Sequence, residues 1–354
     1  MLVSLPGLRN HVAALVGAGA LGIAVGWVAY KALGNGVSAD GDLPQFIIVT
    51  LNGLTVAGLY FIIASGFTLI FGLMRIVNMA HGSLYLLGGY IAFELQGEFS
   101  GAEGASTSGF GGGNVTYGDW LLPLVISCLT VGVVGLAMHQ LFLRWNQGQD
   151  LRQALITIAI SIIAADQMLA HFGGVAEDVK LPASLDTSLS LHVYQLTYGR
   201  FRLLVLLVAI VVGVLLVLMF KKTRFGMIVR AGVDDRAMVS ALGVNIQLVF
   251  AGAFFLGAAL AGLGGVFGGT MVALGPGEDS AFLLNSLIVV IIGGMGSLGG
   301  AAVGALALGL VQSYAQLYLV IGGTDYTFYA ILLTFALLVL VLAVRPLGLF
   351  GRPA

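Results

Sequence analysis

The stretch "IIASGFTLIFGLMRIVNMAHGSLYLLGGY", from Ile62 to Tyr90, is strongly apolar on both sides of a short polar centre. Asn78 and His81 lie three residues apart in that centre, and Gly82 follows directly. An amide or an imidazole costs several kcal/mol in hydrocarbon unless it finds a hydrogen-bond partner. The role of these residues therefore depends on whether the chain folds in water or in lipid.

The composition indicates a membrane protein. Of the 354 residues, 59% are apolar and 9% are charged, whereas a soluble domain has roughly 25% charged residues. Such a chain has too little polar surface to cover itself in water. The formal net charge of −1 indicates no nucleic-acid partner. The single cysteine, Cys128, excludes an intrachain disulfide and a cysteine metal cluster, and no cofactor is predicted.

Hydropathy predicts an all-α fold, a polytopic transmembrane helical bundle of about ten segments, because a spanning helix needs about 20 apolar residues. The segments are 11–33, 45–72, 80–95, 119–142, 152–172, 201–220, 247–273, 281–293, 299–320 and 327–345. The third and the eighth are short for a full crossing, which predicts broken or re-entrant helices buried in protein or lining a cavity. The run "GGMGSLGG", from Gly293 to Gly300, predicts a break between the eighth and ninth segments.

Basic residues predict the orientation, because cytoplasmic loops collect Lys and Arg. With the N-terminus inside and one crossing per segment, eleven of the 15 basic residues fall on the cytoplasmic side. Both termini are then cytoplasmic. Alternatively, the first segment is a cleaved signal peptide, with Arg9 in its n-region and a small-residue cleavage site near Asp40.

Several polar side chains lie inside apolar segments, where such residues tend to face the bundle interior or a wet path. Asn78 and His81 share one helical face near the predicted cytoplasmic boundary. They either line or gate the inner end of a path, or form a polar lock that caps the end of the second segment. Asp166 either binds a cation or relays a proton, or faces a water-filled lumen without a role. The remaining candidates are Asn52, Ser65, Thr68, Gln167, Asn285 and Gln312.

The largest predicted cytoplasmic loop, residues 221–246, contains a short helix. Asp234 is a good N-cap, Asp235 suits the positive end of the helix dipole, and Gly243 suits the C′ position. A helix of about two turns is too short to be stable alone. It is therefore either steadied by docking into a groove on another protein, or it is a connecting helix on the membrane surface. Its small apolar face consists of Ala237, Met238, Ala241 and Leu242.

Five stretches, spread from about residue 45 to the end, together resemble the membrane permease of branched-chain amino acid ABC importers, the LivH-type subunit. The first ends in "NMAHG", similar to the family's Asn-aromatic-Ala-His-Gly motif with Met79 in place of the aromatic residue. The others match the family's cytoplasmic loop, its two Gly-rich core segments and its terminal tail. The stretches are Leu51 to Gly82, Val233 to Asn245, Ala251 to Gly269, Val289 to Leu310 and Arg345 to Pro353.

The resemblance implies a set of partners in the bacterial inner membrane. They are a second homologous permease subunit (LivM-type), two cytoplasmic ATPase subunits and a periplasmic substrate-binding protein. Residues 45–354 would form the permease domain, and residues 1–44 an extra N-terminal transmembrane segment with a periplasmic linker. The chain has no "GxxxxGK[ST]" phosphate loop, so it is predicted not to be the ATPase. The resemblance implies that the chain is not an enzyme and that ATP hydrolysis belongs to the partner ATPase subunits. The family's ATPase-coupling element corresponds to Asp234, Asp235, Arg236, Met238, Leu242 and Gly243.

The implied function is ATP-driven import of branched-chain or related amino acids that the binding protein delivers. Members with similar membrane motifs carry urea, short amides or aromatic carboxylates, and these substrates stay open as alternatives. An ion-coupled secondary transporter using Asp166 is the alternative from another class. The residues expected to line or gate the path are Asn52, Asn78, His81, Gly82 and Asn285, with Gly82 loosening the corner between two spans.

Overall fold

The structure of most of the chain is described here by a computed structural model. It describes residues 42–75, 77–99, 115–191, 196–234, 236–321, 324–325 and 327–351. The predicted segment 11–33 and nearly all of the predicted N-terminal unit 1–44 lie outside these ranges, as does Asp235.

Eleven α-helices make up most of the described residues, which confirms the all-α fold. They are α1 (Asp42–Met74), α2 (His81–Phe99), α3 (Tyr117–Met138), α4 (Asp150–Phe172), α5 (Arg200–Lys222), α6 (Arg224–Asp234), α7 (Arg236–Ala241), α8 (Ile246–Met271), α9 (Glu278–Gly293), α10 (Leu298–Tyr318) and α11 (Ala330–Val344). After α3 the chain continues through a π turn and a 3-10 turn, and another 3-10 turn precedes α11. These three turns are His139–Leu143, Arg144–Asn146 and Thr327–Tyr329.

Two small antiparallel hairpins lie between helices. Strands β1 (Ser188–Leu191) and β2 (Leu196–Gly199) pair with Ser188 opposite Gly199, and β3 (Val320–Ile321) pairs with β4 (Thr324–Asp325). In β2 the side chains of Leu196 and Tyr198 are buried while Thr197 is exposed, because neighbouring side chains of a strand point to opposite faces. Both hairpins fall on the predicted outer side.

Six helices in the described ranges are long and apolar enough to cross a membrane. They are Pro44–Met74, Tyr117–Asn146, Asp150–Phe172, Arg200–Lys222, Ile246–Met271 and Leu298–Tyr318. Every predicted segment from residue 45 onward matches a helix to within four residues at each end. The helices of the two short segments, α2 and α9, are not among the six, and α11 is a shorter apolar helix. The structure is therefore a multi-pass bundle, and the count of ten crossings stays a prediction.

The core of the bundle depends on close backbone approach between α1, α2, α8 and α10. A methyl group added to Gly265 would lie 1.9 Å from the Tyr85 carbonyl oxygen, and one added to Gly88 would lie 2.5 Å from the Cα of Gly262. Small residues let helices approach this closely in lipid, where packing rather than the hydrophobic effect drives association. The abundance of glycine is thus explained by helix contacts.

The glycine run between α9 and α10 forms a tight turn, which confirms the predicted break. Gly294 and Gly296 have φ angles of +97° and +81°, which side chains other than glycine rarely adopt. The Ser297 side chain accepts a hydrogen bond from the backbone N–H of Gly300 at 3.1 Å and caps α10. A methyl group on Gly300 would lie 2.0 Å from the carbonyl oxygen of Gly293, so the two helix ends pack directly on each other.

The long loop 221–246, predicted to be cytoplasmic, contains two helices, so the prediction of one short helix was incomplete. Besides α7 it forms α6, which packs on α5, α1 and α8. Asp234 is the last residue of α6 and α7 begins at Arg236. The prediction of Asp234 as the N-cap is therefore wrong, because Asp234 still belongs to α6, and α7 begins one residue later than that cap requires.

Candidate functional site

The corner between α1 and α2 is held by its own polar side chains. The Asn78 side-chain oxygen accepts a hydrogen bond from the Ala80 backbone N–H at 3.1 Å, and the His81 backbone N–H donates to the Asn78 carbonyl at 3.2 Å. This local bonding of an asparagine to the next residues is typical of a turn that starts a helix. Arg75, just before it, has a φ of +56°. The sequence Arg75 to His81 therefore ends one helix and begins the next.

His81 connects this corner to the middle of α1. Its imidazole is fully buried, its Nε2 lies 3.0 Å from the Ile63 carbonyl oxygen, and its ring packs edge-on against Phe67. Since a carbonyl only accepts, Nε2 holds the proton that is donated. Neither Asn78 nor His81 reaches the surface of the described part of the chain.

The α4 helix also contacts this corner. The Met79 backbone N–H donates to the Thr157 hydroxyl at 3.2 Å, and the hydroxyls of Ser83 and Ser161 lie 2.8 Å apart. Four polar groups at membrane depth are thus paired between α4 and the start of α2. Pairing of this kind satisfies groups that lipid cannot hydrogen-bond.

Gly82 lies where α2 meets α9. A methyl group at this position would be 1.9 Å from the Asp279 carbonyl oxygen and 2.8 Å from the Leu283 side chain. Direct contact between the two backbones requires a residue without a side chain here. The geometry indicates packing at this glycine, in addition to the loosening expected from the sequence.

Asn285 belongs to a closed ring of hydrogen bonds between three helices, here called the amide ring (Tyr60, Asn285 and Gln312). The Tyr60 hydroxyl donates to the Gln312 side-chain oxygen at 2.7 Å, the Gln312 amide donates to the Asn285 oxygen at 3.3 Å, and the Asn285 amide donates to the Tyr60 hydroxyl at 3.2 Å. The Gln312 amide also lies 3.4 Å from the Thr334 hydroxyl in α11. The ring therefore joins α1, α9 and α10 and extends to α11.

The amide ring is open on one side. Tyr60 and Thr334 are buried, whereas Asn285 and Gln312 are half-buried. Side chains of this polarity at membrane depth face protein or water rather than lipid. Sequence reasoning named Asn285 and Gln312 but missed Tyr60 and Thr334, because a tyrosine and a threonine in an apolar helix are ordinary packing residues unless a distant amide meets them.

We expect the amide ring to behave as a coupled unit. Tyr60→Phe and Gln312→Leu should each destabilise the protein, and the two should couple by about 0.6 kcal/mol or more, the average for hydrogen bonds inside membrane bundles. A double-mutant cycle on unfolding in detergent measures the coupling. Additive effects would show that the ring contributes no joint stabilisation. The control is Tyr314→Phe, because the Tyr314 hydroxyl lies 2.9 Å from the Thr50 hydroxyl, outside the ring.

Asn52 lies in a separate cluster near the N-terminal end of α1. Its side-chain oxygen accepts a hydrogen bond from the Arg202 guanidinium, and one helical turn away the hydroxyls of Thr55 and Tyr198 lie 2.8 Å apart. Burial raises the pKa of the Tyr198 phenol, which therefore stays neutral.

The structure places Asn52 about two helical turns from Tyr60 of the amide ring. By contrast, His81 bonds to Ile63, one turn from Tyr60, and Gly82 contacts Leu283, two residues before Asn285. Of the five predicted path residues, His81, Gly82 and Asn285 therefore lie near one another, while Asn52 lies apart.

The predicted coupling helix is short, capped at its C-terminus and apolar on its exposed side. The backbone N–H of Gly243 donates to the Ser240 carbonyl at 3.0 Å and that of Val244 to the Val239 carbonyl at 3.4 Å. With the φ of Gly243 at +82°, these bonds form a Schellman motif and confirm Gly243 as the C′ residue. Met238 is 63% exposed and Leu242 is 76% exposed. The side chains of Asp234, Asp235 and Arg236 lie outside the described part of the structure.

The preceding helix ties α7 to the bundle. A methyl group on Gly226 of α6 would lie 2.4 Å from the Met219 carbonyl oxygen at the end of α5. The Gly226 backbone N–H donates to the Thr223 hydroxyl at 3.2 Å, and Val229 is buried against the bundle. The helix α6 is therefore anchored on the bundle, and α7 contacts both α6 and α8.

Comparison with known proteins gives a consistent set of similarities. Residues 49–342 match the family model described as "Branched-chain amino acid transport system / permease component". The chain is 28% identical over 320 residues to the high-affinity branched-chain amino acid transport system permease protein LivH of Salmonella typhimurium, covering 87% of this chain and 96% of the relative. It is 28% identical over 324 residues to BraD of Pseudomonas aeruginosa, covering 88% and 98%. No solved structure matches the chain significantly.

Proposed function

Because this chain belongs to the family of branched-chain amino acid transport permease components, we propose that it is the membrane-spanning permease subunit of an ATP-driven importer for branched-chain or related amino acids. The family match over residues 49–342 is the observation on which the proposal depends. The relatives LivH and BraD are named as branched-chain amino acid permeases. Six helices able to cross a membrane fit that role.

The proposal includes partners and a location. The chain would pair with a second homologous permease of LivM type, contact two cytoplasmic ATPase subunits and receive solute from a periplasmic binding protein. It would lie in the inner membrane with both termini cytoplasmic and about ten segments, with α2 and α9 as broken or re-entrant helices. The excess of Lys and Arg on the predicted inner side supports this orientation.

The exposed apolar side of α7 supports a coupling role. Met238 and Leu242 present apolar surface at the predicted cytoplasmic face, where a groove on an ATPase would cover it. Closure of the ATPase pair on ATP would push α7. Through α6 the push would reach α1 and α8 and rock the bundle between outward-open and inward-open states.

Two sets of polar residues suit different parts of this mechanism. A path for a zwitterion needs polar contacts that are few and weak enough for the solute to leave. The half-buried Asn285 and Gln312 suit such a lining, as does Asn52 at the outer end. Asn78 and His81 are buried and bonded within the α1–α2 corner, which supports the polar-lock interpretation over direct lining.

We therefore expect His81→Ala to act on stability rather than on solute affinity. The substitution leaves the corner without its bond to the Ile63 carbonyl and opens a void beside Phe67, at a cost of about 2–4 kcal/mol. Unfolding in detergent measures the stability. The KM for uptake by the surviving transporter should stay within twofold of wild type, and a raised KM with unchanged stability would instead assign His81 to the path.

Reconstitution tests the proposed function directly. The permease is placed in vesicles with its second subunit and ATPases, and the binding protein and labelled leucine are supplied outside. ATP-dependent leucine uptake is expected. Uptake without nucleotide would indicate a secondary transporter, and preference for urea, a short amide or an aromatic carboxylate would place the chain with the other substrate classes.

A further inference from the structure

An acidic cavity lies between α2, α4 and the segment that joins α8 to α9. Its volume is about 250 Å³, enough for a small organic solute. Two carboxylates line it, those of Asp166 and Asp279, and most of the remaining lining is apolar, with Leu86, Tyr90 and Met168 contributing. The face-to-face packing of Tyr90 on Phe172, with ring centroids 4.1 Å apart, forms part of the wall between α2 and α4.

Asp279 is the buried carboxylate of this cavity. It lies in the first turn of α9 and is only 6% exposed. Within the described ranges no side chain forms a hydrogen bond with it, and no Lys or Arg forms an ion pair with it. The carboxylate oxygens of Asp279 are not among the fully buried polar atoms without a partner, so the small exposed part of this side chain includes its carboxylate, which opens on the cavity that it lines. A cation could reach the Asp279 carboxylate from the cavity.

Asp166 is the exposed carboxylate of the cavity. It lies with Gln167 on α4, a poorly buried helix whose other exposed residues are mostly apolar, among them Ile162, Ile163 and Leu169. By contrast, α5 is also poorly buried but has no charged residue between Arg202 and Lys221. A charge at this depth faces protein or water. Asp166 is therefore expected to face the cavity that it lines rather than lipid.

We propose that this cavity binds the ammonium group of the transported amino acid, with Asp279 and Asp166 as its counter-charges. The proposal rests on the proposed function and names the part of the chain that recognises the solute. The apolar lining suits an aliphatic side chain, and the two carboxylates exclude solutes that have an acid but no amine. By the predicted orientation the cavity lies in the outer half of the bundle, because its α8–α9 segment pairs with the outer loop at Glu177 and Leu274.

The test uses the complete transporter in vesicles, with the binding protein and labelled leucine outside and ATP inside. Asp279→Asn and Asp166→Asn keep the shape of each side chain and remove its charge. The matched control is Asp186→Asn, an exposed aspartate of the outer loop away from the cavity. Each cavity variant should lower leucine uptake at least tenfold while ATP hydrolysis stimulated by the binding protein stays within twofold of wild type. The control should match wild type in both.

Each other outcome has a definite meaning. Wild-type uptake in all three variants would overturn the site and leave the proposed function standing, whereas absence of ATP-dependent leucine uptake by the wild-type assembly would overturn both. If wild-type uptake requires sodium, and a cavity variant loses that requirement while its affinity for leucine is unchanged, the cavity binds an inorganic cation. That result would overturn the assignment of the cavity to the ammonium group of the solute. If the Asp279→Asn permease does not assemble with its partners, leucine uptake by the Asp166→Asn variant decides whether the cavity binds the solute, because Asp166 is exposed.

Discussion

Replacing Gly82 with alanine is expected to destabilise the permease by about 1–3 kcal/mol, the usual cost of inserting a methyl group into a packed interior. The added carbon would lie 1.9 Å from the Asp279 carbonyl oxygen, and a backbone atom cannot move aside as a flexible side chain can. Alanine gains about 1 kcal/mol over glycine in helix propensity. The collision is the larger effect, so the net change is a loss, measured by unfolding in detergent and by uptake.

Gly299→Ala is the matched control for this experiment. Gly299 also lies in a helix, but a methyl group there would meet nothing within 4 Å, so the propensity gain should leave stability equal or slightly higher. Equal loss at both positions would mean that any alanine weakens this bundle. A stable Gly82→Ala variant with altered gating would instead favour the loosening role expected from the sequence.

Replacing Leu242 with serine is expected to weaken ATPase binding by about thirtyfold and to abolish most ATP-dependent uptake. If α7 docks into a groove, this side chain, now 76% exposed, would be buried at the centre of the contact. Truncating such an anchor costs about 2 kcal/mol or more, and each 1.4 kcal/mol is about tenfold in affinity. Affinity between the purified permease pair and its ATPase measures the effect, and permease stability should stay unchanged.

Leu151→Ser controls for the loss of an exposed leucine, because Leu151 is also 76% exposed and lies at the predicted cytoplasmic end of α4. It should retain ATPase binding. If both variants bind the ATPase as wild type does, α7 is a connecting helix on the membrane surface and coupling occurs elsewhere.

The positions of the helices were largely predictable because hydropathy is a local property. From residue 45 onward each apolar segment corresponds to a helix, since in lipid a segment must satisfy its own backbone and does so as a helix. The Gly243 cap was predictable for the same reason, because a C′ glycine acts on its own helix end. The helix α6 was missed, because its mixture of Arg, Gly and apolar residues reads as a basic loop until it packs against α5.

The candidate site was less predictable, because polar residues were identified one at a time while their partners are distant in the chain. Asn285 was singled out for its place in an apolar segment, but its partner Tyr60 lies in α1 and gives no polar signal of its own. Asp166 is a charge inside a predicted apolar segment, whereas Asp279 falls between the predicted segments 247–273 and 281–293 and gives no such signal. Only the packing of α2, α4 and α9 places the two carboxylates on one cavity.

The sequence by itself determined that the chain folds in lipid, at which positions most of its helices lie and to which family it belongs, because composition, hydropathy and short motifs depend on neighbouring residues. The tertiary structure alone decided that Gly82 meets the Asp279 backbone, that Asn52 and Asn78 lie at different levels of the bundle, and that two aspartates face one cavity. The physical reason is that glycines set how closely the helices approach. At many of them an added methyl group would lie less than 3 Å from an atom of the neighbouring helix. Those distances determine which remote polar groups meet.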